Sequence, residues 1–368
     1  MTNLKKLGLS ALAGSLVAVS AQAGEIAVTG SANVTYKTGN AVNAGKTIGT
    51  DRDVAFTGTG EMDNGWTFTV STLLTDAFSV SSSYTSLTMG SLGTLTAGTD
   101  FGGASYKYDE EVPQAYEQTS DAEQNSANLV GNQMDNNSIV YNSPSFDIAG
   151  ISLSMDAEYS PNANGIGAGD GAETDKVTAF VAANGNGGNF GKGYGLGATV
   201  KYEGLTVGAY GNERENRDPS VDTTKVRDAF EGAWYAKYSM GPVSVGYSET
   251  YMDSGLNDDD TVSTAPVADK TERLLGGIFS SESMSVAFNV NENLSVSYTS
   301  TEDTYDDQSN TKGGVEVIDV TQDSTAIQIA YSMGAMSVKA YQMETKNPRY
   351  DSDAPDENVT EIALGLAF

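Results

Sequence analysis

Between 101 and 136 the chain carries seven carboxylates, Asp109, Glu110, Glu111, Glu117, Asp121, Glu123 and Asp135, against a single cation, Lys107. A cluster of one sign can concentrate cations, hold a divalent ion, or do acid–base work through paired carboxyls. Glu110 and Glu111 are adjacent, but no pocket-forming apolar stretch or orienting partner stands beside them, so catalysis finds little footing. The chain has no His and no Cys. Ser-His-Asp and Cys-His enzymes are thereby excluded, and zinc-type centres lose their usual ligands. Further acid runs at 257–261 (NDDDT), 302–307 (EDTYDD) and 351–357 (DSDAPDE) supply oxygens of the kind Ca²⁺ takes, without EF-hand spacing. The expectation is no resident cofactor and no metal centre, with structural Ca²⁺ in these acidic runs as the minor reading. With 49 acidic residues against 20 basic ones, the formal charge is −29. Such a surface repels phosphate backbones, so nucleic acid is not a partner.

The elements that would position these groups begin with an export segment. Lys5 and Lys6 precede the apolar run 7–19, LGLSALAGSLVAV, and Ala21-Gln22-Ala23 follows as a small-x-small cleavage pattern. Residues 1–23 read as a cleaved signal peptide and 24–368 as the mature domain. Beyond it no stretch approaches the roughly 20 apolar residues of a membrane helix.

The mature chain alternates with period two. Ile151, Leu153, Met155, Ala157 and Tyr159 take one face while Ser152, Ser154, Asp156 and Glu158 take the other. The same pattern recurs through Val243/Val245/Tyr247, Met284/Val286/Phe288, Ile327/Ile329/Tyr331 and Ile362/Leu364/Leu366/Phe368. Short turns rich in Gly, Asn and Pro fall at 63–65, 90–93, 143–150, 203–204, 240–242, 291–293 and 333–335. They alternate with mostly long connections, at 38–50, 101–136, 160–192, 214–226, 253–270, 303–320 and 347–358 and a short one near 76–79. The count gives sixteen strands. YSMGPVSVGY at 238–247 and YSMGAMSVKAY at 331–341 look like one hairpin used twice.

A soluble sandwich has no reason to place every short turn at one end, whereas a membrane barrel does. Strands of ~10 tilted residues then present alternate side chains to lipid, and closure removes edges whose backbone groups lipid cannot satisfy. Tyr36, Tyr141, Tyr159, Tyr202, Tyr238, Tyr247, Tyr298 and Tyr331 lie on the apolar parity near strand ends, where amphipathic rings suit an interface. The fold class is all-β, a 16-stranded antiparallel transmembrane β-barrel, and a barrel of this size leaves an aqueous channel.

With the signal segment, sixteen alternating strands, a long loop after strand five and a terminal Phe, the chain resembles the general diffusion porins of the Gram-negative outer membrane. DVAFTGTGEMDNGWTFTV at 53–70 is similar to the second porin hairpin, and LTMGSLGTLTAGTDFGG at 87–103 to the strands that enter the pore loop. The resemblance implies short periplasmic turns, long extracellular loops, and 101–136 folded inward as a pore-constricting loop. It also implies a homotrimer in outer-membrane lipid and lipopolysaccharide, with Phe368 as the signal read by the outer-membrane assembly machinery and the last strand pairing with 25–37. The constriction residues would be Asp109, Glu110, Glu111, Glu117, Asp121 and Glu123.

General porins often set a cluster of arginines opposite that loop, and here the pattern departs. The position of the second-strand arginine holds Asp53, with Arg52 on the outward parity, and the positions near Ser81 and Tyr141 are uncharged. The pore wall is expected to include Lys37, Asp53, Arg227 and Arg273, and Lys201, Lys237 and Lys339 share the inward parity. The reading is passive diffusion of small hydrophilic solutes and ions with cation preference. The competitors are a substrate-selective channel of the same fold, with Tyr106, Tyr108 and Tyr116 as a track, and a secreted all-β adhesin.

Overall fold

Alternation of this kind forces a sheet with two unlike faces, and the chain closes that sheet on itself. The computed structural model describes residues 25–41, 46–75, 79–109, 111–119, 134, 138–161, 163, 190–216, 228–253, 278–306 and 319–368. Its strands are β1 (Glu25–Gly39), β2 (Thr47–Glu61), β3 (Thr67–Leu74), β4 (Val80–Thr88), β5 (Thr94–Thr99), β6 (Ser138–Asn142), β7 (Phe146–Ile148), β8 (Ile151–Ser160) and β9 (Phe190–Tyr202). They continue as β10 (Leu205–Asn216), β11 (Ala229–Met240), β12 (Val243–Asp253), β13 (Ile278–Asn289), β14 (Leu294–Asp306), β15 (Val320–Met333), β16 (Met336–Lys346) and β17 (Glu357–Ala367). Apart from β6 and β7, each pairs antiparallel with its sequence neighbour, and β1 pairs with β17 to complete the ring. Because β6 and β7 both pair with β8, they are two halves of one strand interrupted at 143–145, and the barrel has sixteen strands.

Several boundaries differ from the sequence reading, two of them by the most. The stretch 143–150 is not one turn: chain reversal is confined to Ala149 and Gly150, which take positive φ of 52° and 85°, and Pro144, which has no N–H to donate, lies in the break before β7. The first long connection is also shorter than 38–50, since β1 runs to Gly39 and β2 starts at Thr47. Polar Thr and Gly residues there pair as strand because both faces of the wall above the membrane are wet.

The outer face is apolar and the inner face polar, as the alternation demands. On β13, Met284, Val286 and Phe288 point out while Ser281, Ser283 and Ser285 point in and are buried. Tyr36, Tyr159, Tyr202, Tyr238, Tyr298 and Tyr331 all lie exposed on the outer face. Among the described residues no helix is long and apolar enough to cross a membrane; the crossing is made by strands. Closure extends to the final residue. The Gly30 amide donates to the Phe368 carbonyl at 2.8 Å and the Phe368 amide to the Gly30 carbonyl at 3.0 Å. The far edge of the Phe368 ring lies against Gly30, where any Cβ would collide with it. The terminal aromatic is thus packed on the seam between the first and last strands.

At the mouth, the connection between β16 and β17 turns inward. Tyr350 packs on Phe279 and Tyr305 with ring centroids 5.6 and 5.7 Å away, beside Met252 and Val320. The Asn347 side chain ties this turn to the Thr321 carbonyl at 2.8 Å.

Candidate functional site: the loop inside the barrel

The segment after β5 does not extend outward from the barrel. The described parts of this loop, 101–109 and 111–119, run along the inner wall: Phe101 packs near Tyr84 of β4, and the bonds that follow lie on strands between β8 and β17. The path begins at Ala104, whose amide donates to Glu158 Oε2 at 3.2 Å, an acceptor shared with the Tyr210 hydroxyl at 3.0 Å. Lys107 Nζ pairs with Asp156 Oδ1 at 2.6 Å, and the Tyr108 hydroxyl donates to Asp156 Oδ2 at 2.7 Å. Tyr108 stacks on Tyr210 at 5.3 Å and leans on Tyr235 at 6.3 Å. These rings need room on β9, and the sequence supplies it: Gly193, Gly195 and Gly197 share the inward face, with Tyr108 lying directly on Gly197.

Farther along, Glu111 forms an ion pair with Lys237, whose ammonium stands 5.2 Å from the Tyr235 ring centroid. Ser285 donates to the Pro113 carbonyl and the Ala115 amide to Ser297 Oγ at 2.9 Å. Gln328 holds the next turn at both ends, accepting from the Tyr116 amide at 2.7 Å and donating to the Glu117 carbonyl at 2.5 Å. The Tyr116 hydroxyl donates to Glu361 Oε1 at 2.6 Å, and Thr119 meets Thr301 at 2.6 Å. A loop carries as many backbone polar groups as a strand, and inside a barrel these must find partners. The Ser, Thr, Gln and Glu of the inward parity provide them. Burial pushes the Tyr108 and Tyr116 hydroxyls well above the ordinary tyrosine range, and the neighbouring carboxylates Asp156, Glu117 and Glu361 push further the same way.

The six expected loop carboxylates fare unequally. Glu111 is paired and about 29% exposed. Asp109 and Glu117 are buried at 7% and 8%. Glu110, Asp121 and Glu123 lie outside the described residues, as do the expected wall cations Arg227 and Arg273. Lys37 is on the inner wall, 3.0 Å from Glu361 Oε2 and 5.9 Å from the Tyr341 centroid. Asp53 faces inward on β2 and is 2% exposed, while Arg52 takes the outward parity with Val54 and Phe56. Tyr108 and Tyr116 are buried at 0% and 7%, so they are anchors of the loop rather than an open track for solutes.

What the sequence reading did not single out is the set of wall acceptors: Asp156, Glu158, Gln328 and Glu361. Their signal was present as charged or long amide side chains on the inward parity of strands otherwise lined by Ser, Thr and Gly. A second chain segment had to meet them. Of the acid runs, 257–261 lies outside the described residues. The run at 302–307 is strand through Asp306, with Glu302 and Asp303 on opposite faces. At 351–357 the Asp351 side chain accepts from the Asp353 amide at 2.9 Å, closing a local turn. Among the described residues no group of three or more ligating side chains is gathered to hold a metal.

Known proteins share this barrel fold. No curated protein matches the chain, but solved structures do. OmpF of Salmonella typhi, in complex with daunomycin, superposes with a TM-score of 0.66 at 13% identity, covering 94% of this chain and 98% of that one. OmpT of Vibrio cholerae with loop L8 deleted gives 0.62 at 12% identity over 94% and 100%. A porin refined at 1.8 Å gives 0.57 at 14% over 94% and 100%. At such identities the likeness shows the fold. The sequence profile of the Gram-negative porin family matches residues 8–368, and with the closed barrel and its inward loop this chain belongs to that family, an outer-membrane channel rather than an enzyme.

Proposed function

We propose that the barrel is a water-filled pore for passive diffusion of small hydrophilic solutes and ions, narrowed by the loop 101–136, with a preference for cations. The observation that carries this is the inward course of 101–109 and 111–119, bonded to strands between β8 and β17. A loop folded inward in this way narrows a lumen that a sixteen-stranded barrel leaves open.

Cation preference is supported by how the charges pair. Three inward cations of the loop side are answered locally, Lys107 by Asp156, Lys237 by Glu111 and Arg214 by Glu231 at 3.8 Å. On the opposite strands β1–β6, Asp51 and Asp53 face inward, and the inward cation among the described residues is Lys37, held by Glu361. Among the described residues no row of arginines faces the loop there, and inward carboxylates raise the local cation concentration. A homotrimer is supported by the outer face of β2–β4. Thr72 and Ser83 point outward there and hydrogen-bond each other at 3.3 Å, next to strands of only 8 and 9 residues. Hydroxyls suit a second copy better than hydrocarbon. Residues 1–23 would be removed on export, Phe368 would be presented to the assembly machinery, and the rim would meet lipopolysaccharide. We invoke no cofactor; if Ca²⁺ steadies the acidic runs, chelation lowers thermal stability.

The test is single-channel current from the refolded mature protein in a planar bilayer, with the reversal potential across a KCl gradient. Stepwise conductance with a cation-sided potential is expected. Anion-sided conductance would refute the charge reading and keep the pore, whereas no conductance from closed barrels would refute the pore.

A further inference from the structure

One carboxylate joins parts of the molecule that are otherwise separate. Glu361, on the inner face of β17, is 7% exposed and takes three donors: the Tyr116 hydroxyl on Oε1 at 2.6 Å, and Lys37 Nζ and the Tyr341 hydroxyl on Oε2 at 3.0 and 3.4 Å. These come from the loop, from β1 and from β16. Lys37 and Glu361 are direct partners across the β1–β17 seam, and Tyr341 and Glu361 across β16–β17. Tyr116 and Tyr341 lie ring to ring at 5.8 Å, and Lys339 stands 5.2 Å from the Tyr116 centroid. Around them Ala41, Ala326, Met343, Val359 and Ala363 exclude water from the contact.

Tyr116 and Glu361 are 245 residues apart. Their bond therefore forms only after the last strand has been laid down, and Glu361 is brought opposite Lys37 only when that strand has met the first. Charge adds a second consequence, because Glu361 is the carboxylate paired with Lys37 beside the loop anchor.

We propose that Glu361 is a positioning residue which couples seating of the pore loop to closure of the barrel and whose charge offsets Lys37 beside the lumen. The proposal rests on the pore reading above. It extends that reading from a loop that is folded in to a loop held in by the closing strand.

Two conservative variants separate the parts of the claim. Tyr116→Phe keeps the ring and removes the donor; Glu361→Gln keeps the size and removes the charge. The chain contains no Cys, so Gln118→Cys gives a single thiol beside the anchor whose labelling rate reports loop seating without any need for conduction. Barrel closure is read by heat-modifiable electrophoresis. Both variants should close like the parent and label on the order of tenfold faster, the factor expected when one charge-assisted hydrogen bond is lost. Both should conduct with larger and noisier currents. Only Glu361→Gln should also move the reversal potential toward the anion side, and the double variant should label no faster than the faster single one. Parent-like labelling and current in both variants would overturn the proposal, as would lowered thermal stability with an unchanged pore. If the parent itself does not conduct, the pore reading falls, and the labelling still decides the coupling.

Discussion

Gly197 is where a single methyl group should unseat the loop without touching the barrel. A Cβ built there lies 2.5, 2.6 and 2.7 Å from Tyr108 Oη, Cζ and Cε2. Ordinary carbon contacts begin near ~3.5 Å, so Gly197→Ala requires the ring to retreat by roughly 1 Å. Tyr108 has little freedom to do so. Tyr210 and Tyr235 flank it, and its hydroxyl is 2.7 Å from Asp156. A retreat of roughly 1 Å takes that bond beyond hydrogen-bonding range. Overpacking costs about 1–3 kcal/mol, and a hydrogen bond to a charged partner contributes about 1.5–3 kcal/mol. With partial relaxation, a net of about 3 kcal/mol shifts the seated-to-unseated ratio by roughly a hundredfold. The β-ladder itself is unaffected, since Gly197 pairs through its backbone with Asp156 and Tyr210 and Ala keeps those bonds. The control is Gly58→Ala, where nothing lies within 4 Å of the added methyl. Heat-modifiable migration should be parental in both proteins. Conductance and open-channel noise should rise in Gly197→Ala alone, and identical currents from the two variants would refute the reasoning.

The Lys237–Glu111 pair predicts opposite shifts from its two halves. Lys237→Met should raise the cation-to-anion permeability ratio and Glu111→Gln should lower it, each a few-fold. A unit charge ~5 Å from an ion in water is worth about 0.8 kcal/mol before screening, and shifts of the same sign would show that the pair does not face the ion path. Deleting Phe368 removes two backbone bonds to Gly30 and the ring above it. The yield of heat-modifiable barrel should fall sharply, while Phe368→Trp, which keeps an aromatic on the seam, should retain most of it. The raised Tyr108 and Tyr116 hydroxyls predict that part of the tyrosine absorbance at 295 nm does not titrate near pH 10 in the folded barrel. The sign follows from proton counting. Below pH ~10 both states keep these protons, and above it the unfolded chain releases them first, so stability declines as pH rises. Titration of all 19 tyrosines in one step near pH 10 would contradict this.

The fold was legible because the bilayer and the lumen impose opposite demands on alternate residues, and the chain obeys them across each strand that period two can reveal. Legibility failed where that contrast disappears. At 47–50, Thr, Ile, Gly and Thr form strand above the lipid where neither face needs to be apolar, so no alternation marks the start of β2. Pro144 and Gly150 bracket β7, three residues long, and the two breakers read as one turn. Phe190, Gly191 and Lys192 read as loop because glycines occupied the inward parity.

The site shows a different failure, and it changes where selectivity is sought. Carboxylates in the loop were counted as a field, but a field depends on what each charge faces. Glu111 faces Lys237, Glu117 is buried, and Lys107 belongs to Asp156 on the wall. None of these partners is near its mate in sequence; the shortest separation is the 49 residues between Lys107 and Asp156. Each wall acceptor holds the loop by using a charge or lone pair that would otherwise point at passing ions. Anchoring and selectivity therefore draw on the same side chains, and a substitution that frees a carboxylate for ions also loosens the loop carrying it. For this reason conductance and reversal potential should move together in variants of Asp156 and Glu361, and independently in variants of Asp51 on β2, which is not among these wall acceptors.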